Sequence, residues 1–294
     1  VVYRQLEGSM TTSSPLEAVL KRDRIVVVGG LLLIVVLSWA YILLGAGVGM
    51  TAFDMTGSAI PSFGGSDMSG KMPAGSAISA MMQPALWDAN YAVLMFFMWW
   101  IMMVAMMLPS AAPMILLYAA INRKQRERNV PYVPSAVFGL GYLACWAAFS
   151  VVAVSLQWAL ESAGFLSGMM RGTSQTIGGG LLIAAGTWQV TPLKHACLRH
   201  CRSPIIFLTH HWHKGYIGAF RMGVEHGVFC LGCCWFLMAL LFYGGIMNLY
   251  WIIGLALYVL VEKFVPKGHW IGVVVGVVLL VWGVALIGSA WGLA

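Results

Sequence analysis

Three kinds of side chain in this sequence can bind a soft metal ion, and each keeps to its own part of the chain. Thiols and imidazoles gather in the C-terminal half. His195, Cys197, His200 and Cys201 share a seven-residue stretch, His210, His211 and His213 follow, and His226, Cys230, Cys233 and Cys234 lie on the next apolar run. Thioethers gather earlier: 13 of the 19 methionines lie between Met50 and Met114. Thiolates, imidazoles and thioethers suit copper, zinc and iron, and thioethers favour Cu(I) in particular.

Spacing sharpens this inventory. At about 100° per helical residue, His226, Cys230, Cys233 and Cys234 share an arc of about 100°, so an imidazole and at least two thiols line one helix face over two turns. Donors at i, i+4 and i+7 can hold a metal with a water or a methionine completing the set, although buried free cysteines also serve as plain packing. Gly223 and Gly227 lie on the same side and admit a close neighbouring backbone. Glu225 follows Arg221 by four residues, which allows an ion pair near the helix end with Arg221 snorkelling, and equally allows the carboxylate to orient His226. Further upstream, Asp88, Tyr91, Met95, Met98, Met102 and Met106 fall within an arc of about 80°, with Met103 and Met107 in an adjacent row. Such a stripe fills helix interfaces as readily as it carries Cu(I). Methionines in the Gly/Ser-rich stretch before it (Met50, Met55, Met68, Met72, Met81, Met82) have no evident core to fill, which favours the metal reading.

The elements that position these donors are membrane helices. Of 294 residues, 60% are hydrophobic and 9% charged, with a mean hydropathy of +0.84. Water-soluble domains carry far more charge. A span needs about 20 apolar residues, and seven segments qualify: 25 to 48, 89 to 120, 135 to 162, 174 to 192, 217 to 243, 246 to 264 and 269 to 291. The predicted fold is therefore an all-α polytopic bundle of about seven transmembrane helices, forming one domain over 25–294. Pro109 and Pro113 predict a kink or break after Leu108. The sequence from Met10 reads as a natural start, so Val1 to Ser9 is expected to be extraneous to the native chain.

With residues 1–24 cytoplasmic, every Lys and Arg except Lys71 and Arg171 falls on the cytoplasmic side, and seven spans put the C-terminus outside. That asymmetry accounts for the formal charge of +7 without a nucleic-acid partner. The expected location is a bacterial inner membrane. Residues 51–87 form an extracytoplasmic Met/Gly/Ser-rich loop carrying Asp54 and Asp67, and 193–216 form a cytoplasmic His/Cys loop. No cysteine lies outside, so disulfides are not expected.

Four stretches carry a family resemblance: Pro15-Leu16-Glu17 with Lys21-Arg22-Asp23-Arg24, Trp99 through Pro113, Thr191 through Pro204, and Gly223 through Cys234. In these the chain resembles a family of predicted metal-binding integral membrane proteins, domain of unknown function 2182. The resemblance implies a metal site with Glu225, His226, Cys230, Cys233 and Cys234 as its ligands.

The leading expectation is a copper-handling or copper-delivery protein, with copper favoured and zinc or iron as alternatives. Its candidate ligands are Glu225, His226, Cys230, Cys233, Cys234, Met98, Met102, Met106, His195, Cys197, His200 and Cys201. The sidedness supports it: thioethers and carboxylates outside, a Met stripe across the bilayer, thiols and imidazoles inside. A membrane metalloenzyme acting on a small apolar substrate is the second reading, although no haem, flavin or nucleotide motif is present and enzyme status stays open. A scaffold subunit is the third, with Gly272 to Gly276 as a docking face for a second copy or a partner subunit.

Overall fold

The computed structural model describes residues 15–49, 51–57, 87–126, 133–167, 170, 172, 174–266 and 268–292. The described chain is helical throughout its regular parts. Its elements are α1 (Pro15–Leu43), α2 (Ala52–Gly57), α3 (Ala89–Arg126), α4 (Ser135–Ser162), α5 (Gln175–Val190), α6 (Pro192–Arg202), α7 (Pro204–His210), α8 (Gly215–Ala239), α9 (Leu241–Gly244), α10 (Leu249–Phe264) and α11 (Gly268–Ala290).

Five stretches are long and apolar enough to cross a membrane: Arg24–Leu43, Ala89–Lys124, Ser135–Ser162, Gly215–Gly244 and Gly268–Ala290. Their outward faces are apolar, as on α1 (Leu32, Leu33, Val36, Leu37) and α11 (Val274, Val277, Val278, Val281). An apolar exterior of this extent requires lipid around it. This is an integral membrane protein.

The two remaining predicted spans, 174–192 and 246–264, contain helices of only 16 residues, α5 and α10. At 1.5 Å per residue each is about 24 Å long, short of the ~30 Å hydrocarbon core. Capping sets their limits. Thr191 ends α5 and at once caps α6, accepting Lys194 N–H at 3.3 Å, with Pro192 in the first turn. Gly245, at φ +100°, turns the chain into the Asn248 cap of α10.

Close approach organises the bundle. α4 and α8 run side by side in the same direction, Gly223 against the Phe138 carbonyl, Gly141 against that of Phe220, and Gly227 against Cys145. α5 runs antiparallel to α11 through Gly179 against Gly283 and Gly186 against Gly276. The face expected to dock a partner is thus used internally: Gly276 packs on Gly186 and Gln189, and Gly272 covers the Glu262 carboxylate.

Three further expectations change. α3 runs unbroken through Pro109 and Pro113, with the hydroxyls of Ser110 (2.8 Å) and Tyr142 (3.2 Å) donating to the Met107 carbonyl. Residues 193–216 are not an irregular loop but fold largely into α6 and α7, each opening with proline. The start of the Met/Gly/Ser-rich stretch folds as α2, where the Asp54 carboxylate accepts from Thr51 Oγ1 (2.6 Å) and Thr51 N–H (3.2 Å). Met55 is buried there, so it fills a core after all. Met50, Met68, Met72, Met81, Met82 and Asp67 lie outside the described residues, as do Val1 to Ser14.

Candidate metal centre

The predicted sulfur face of α8 is buried: Cys230, Cys233 and Cys234 are each at most 1% exposed. The thiols of Cys233 and Cys234 donate to the Cys230 carbonyl one turn back, at 2.9 and 3.0 Å. A thiol is a weak donor, so little holds these rotamers beyond packing.

Neighbouring helices supply what surrounds this face. From α3, Met107 brings its sulfur to 3.9 Å from Cys234 Sγ. From α4, the Tyr142 hydroxyl lies 3.2 Å from Cys230 Sγ. From α10, Lys263 donates to Cys230 Sγ at 3.0 Å and to Ser110 Oγ at 2.9 Å. Among the described residues no carboxylate pairs with Lys263. A buried ammonium must be hydrogen-bonded, and these two acceptors meet that need.

The inner face of α6 closes the cluster. Cys197 and Cys201 recur at helical spacing and turn toward α8, while Lys194, one turn earlier, turns toward α10. Cys201 lies close to Cys230 and Cys233. Cys197 packs on Gly232. α6 therefore sits beside Gly232, about 26 Å along α8 from Gly215. Lys194, 1% exposed, anchors it by donating to Gln189 at the end of α5 and to Glu262 on α10, whose carboxylate also accepts from Tyr258 at 3.2 Å. Lys194, expected in the cytoplasmic loop 193–216, and Lys263, expected at the cytoplasmic end of a span, are both buried on these partners.

The remaining predicted ligands separate from the thiols. His226 is buried one turn before Cys230, with ring centroids 5.7 Å from Tyr142, 6.2 Å from Phe138 and 5.5 Å from Phe207. Among the described residues its Nδ1 has no hydrogen-bond partner, and neither has Glu225 Oε2. Glu225 does not orient His226; it pairs with the exposed Arg221 at 2.9 Å, and His213 Nε2 stands 3.8 Å away. His200 stacks on Phe229 with centroids 4.2 Å apart, and His195 faces His269 on the outer side of α6. Met98, Met102 and Met106 are buried along α3. The adjacent row, through Met107, reaches the thiols instead. Among the described residues, no three His, Cys, Asp or Glu side chains stand in an arrangement ready to hold an ion.

Of the groups around the cluster, Tyr142, Ser110 and Lys263 escape a reading of the sequence. They come from three helices, and only the folded arrangement brings them to Cys230. A lysine inside a predicted span is the one local signal that points at such a role. A second buried polar group, also unanticipated, lies at the far end of α4: Glu161 accepts from Trp87 Nε1 (2.7 Å) and Gln157 Nε2 (2.9 Å), and Gln157 also meets Met95 Sδ at 3.5 Å.

Fold and site together define an integral membrane protein with a buried, sulfur-rich cluster where α3, α6, α8 and α10 meet. The sequence profile of the PpoB2 copper chaperone family matches residues 96–286, and the chain belongs to that family. No curated protein and no solved structure gives a significant match. The expectation of a metal-handling membrane family is met at the level of a copper chaperone family.

Proposed function

We propose that this protein is a membrane copper chaperone that takes Cu(I) as cargo on the thiols of Cys201, Cys230, Cys233 and Cys234, with Met107 as a thioether donor. Copper fits this donor set better than zinc or iron, because thiolate and thioether sulfur together favour Cu(I). The observation that carries the reading is the approach of Met107 Sδ to within 3.9 Å of Cys234 Sγ, with Cys230 and Cys233 on the same face of α8 and Cys197 of α6 packed on Gly232.

Loading asks little of the backbone. Cys233 and Cys234 rotate about χ1 off the Cys230 carbonyl and lose their protons, since the metal-binding form is the thiolate. The methionines at 95, 98, 102 and 106 then serve as a ladder of weak sites, successive rungs about 5–6 Å apart on one face. In this reading the chain crosses the bacterial inner membrane seven times, N-terminus inside and C-terminus outside, α5 and α10 being completed by their flanking turns.

Copper measured by elemental analysis on detergent-purified protein, loaded with Cu(I) under reducing conditions, tests the proposal. Wild type is expected to retain copper over zinc and iron, and Cys201→Ser with Cys230→Ser to lose it. Equal copper in both proteins overturns the assignment.

A further inference from the structure

The outer face of α6 forms a second site, of opposite chemistry to the first. His195, Arg199 and Arg202 recur at i, i+4 and i+7. With Ser203 and with His269 at the start of α11 they line an open cleft of about 460 Å³ floored by Leu198. Among the described residues no carboxylate lines it. Arg202 is fixed in place, donating at 2.5 Å to the carbonyls of both Val265 and Pro266, just past the end of α10. His195 and His269 face each other across the cleft with ring centroids 6.4 Å apart. These cationic and imidazole donors converge without any acidic partner, an arrangement suited to a phosphate group.

The surroundings choose among phosphates. The cleft lies where α11, a helix apolar enough to cross the membrane, begins at Gly268. Trp270, its ring 5.5 Å from that of the lining His269, is 61% exposed, and Leu193 (64%) and Phe264 (56%), close to lining residues in sequence, are exposed as well. Tryptophan at the end of a spanning helix marks the headgroup level of a bilayer. A basic pocket between helices at that level, rimmed by exposed apolar groups, matches a molecule with an anionic head and hydrocarbon tails.

We infer that this cleft binds the headgroup of an anionic phospholipid, with Arg199, Arg202 and the two histidines on its phosphate and the apolar rim on its acyl chains. The inference is independent of the copper reading, although both sites use α6: Cys197 and Cys201 face inward on the helix whose outer face holds the lipid.

The test is retention of lipid by the full-length protein in nanodiscs of mixed phosphatidylglycerol and phosphatidylcholine, read by native mass spectrometry after extraction into mild detergent. Wild type is expected to keep phosphatidylglycerol at least about fivefold over phosphatidylcholine. Arg199→Gln with His269→Gln, both exposed positions, is expected to abolish that preference, and Arg199→Lys to keep most of it because charge is conserved. An unchanged thermal midpoint shows that these variants fold. Equal retention of the two lipids, or a preference that survives the double substitution, overturns the inference. So does inorganic phosphate displacing the lipid at millimolar concentration, which would make the ligand a free phosphate.

Discussion

At the scale of single residues, the distinction that matters is between sulfur that packs and sulfur that reaches other sulfur. Every methionine of the α3 stripe is buried, so burial does not separate the two roles. Contact does: Met107 approaches Cys234. Met107→Leu keeps volume and loses the thioether, and it is expected to weaken Cu(I) binding about 10- to 100-fold, the range for removing a supporting interaction at a metal site. Met98→Leu, measured by the same competition titration with a chromogenic chelator, is expected to leave the affinity unchanged. The helical period was enough to place His226, Cys230, Cys233 and Cys234 on one face, because a helix fixes that relation locally. It could not tell what other elements would bring to that face: Tyr142, Phe138 and Phe207 surround His226, and Lys263 reaches Cys230 across 33 positions of sequence.

At the scale of elements, α6 depends on a buried ion pair. Lys194 and Glu262 join it to α10, and both are almost fully enclosed. Removing one partner leaves an unpaired buried charge, which costs roughly 3–5 kcal/mol, whereas replacing both with apolar groups of similar size is often neutral. Glu262→Leu alone is therefore expected to lower the thermal midpoint sharply, and Lys194→Met with Glu262→Leu to recover most of it. Additive losses in that cycle would show that the two residues do not act as a pair. The glycine seam makes a parallel case for α4 and α8. Gly223→Leu places a side chain against the Phe138 carbonyl and is expected to abolish folded, monodisperse protein on size-exclusion chromatography, a steric failure larger than the 1–3 kcal/mol typical of core overpacking. The small-residue spacing of Gly223 and Gly227 was readable in advance. That 193–216 would fold as helices was not, because its prolines and charges resemble a loop until Thr191 and Pro192 are seen as the cap and first turn of α6.

At the scale of the whole molecule, the open question is how two 16-residue helices complete a bundle whose other long helices run 23 residues or more. α5 lies along α11 over the glycine contacts, and α10 lies beside the same helix, with Trp251 stacked on Trp282 at 6.1 Å. Both therefore accompany a full-length apolar helix for most of its course. The chain then continues from α5 through α6 and α7 along α8, from Gly232 back to His213 beside Gly218. Hydropathy alone marks α5 and α10 as apolar and cannot say whether they reach both surfaces, since length is set by the caps. Reporter fusions decide it. A fluorescent protein fused before Pro15 is expected to mature in the cytoplasm, an alkaline phosphatase fused after Lys214 to be inactive, and one fused after Ala294 to be active outside, a combination that five crossings, also an odd number, would not give. A phosphatase active after Lys214 would mean that α5 does not cross, and one inactive after both Lys214 and Ala294 that α10 does not.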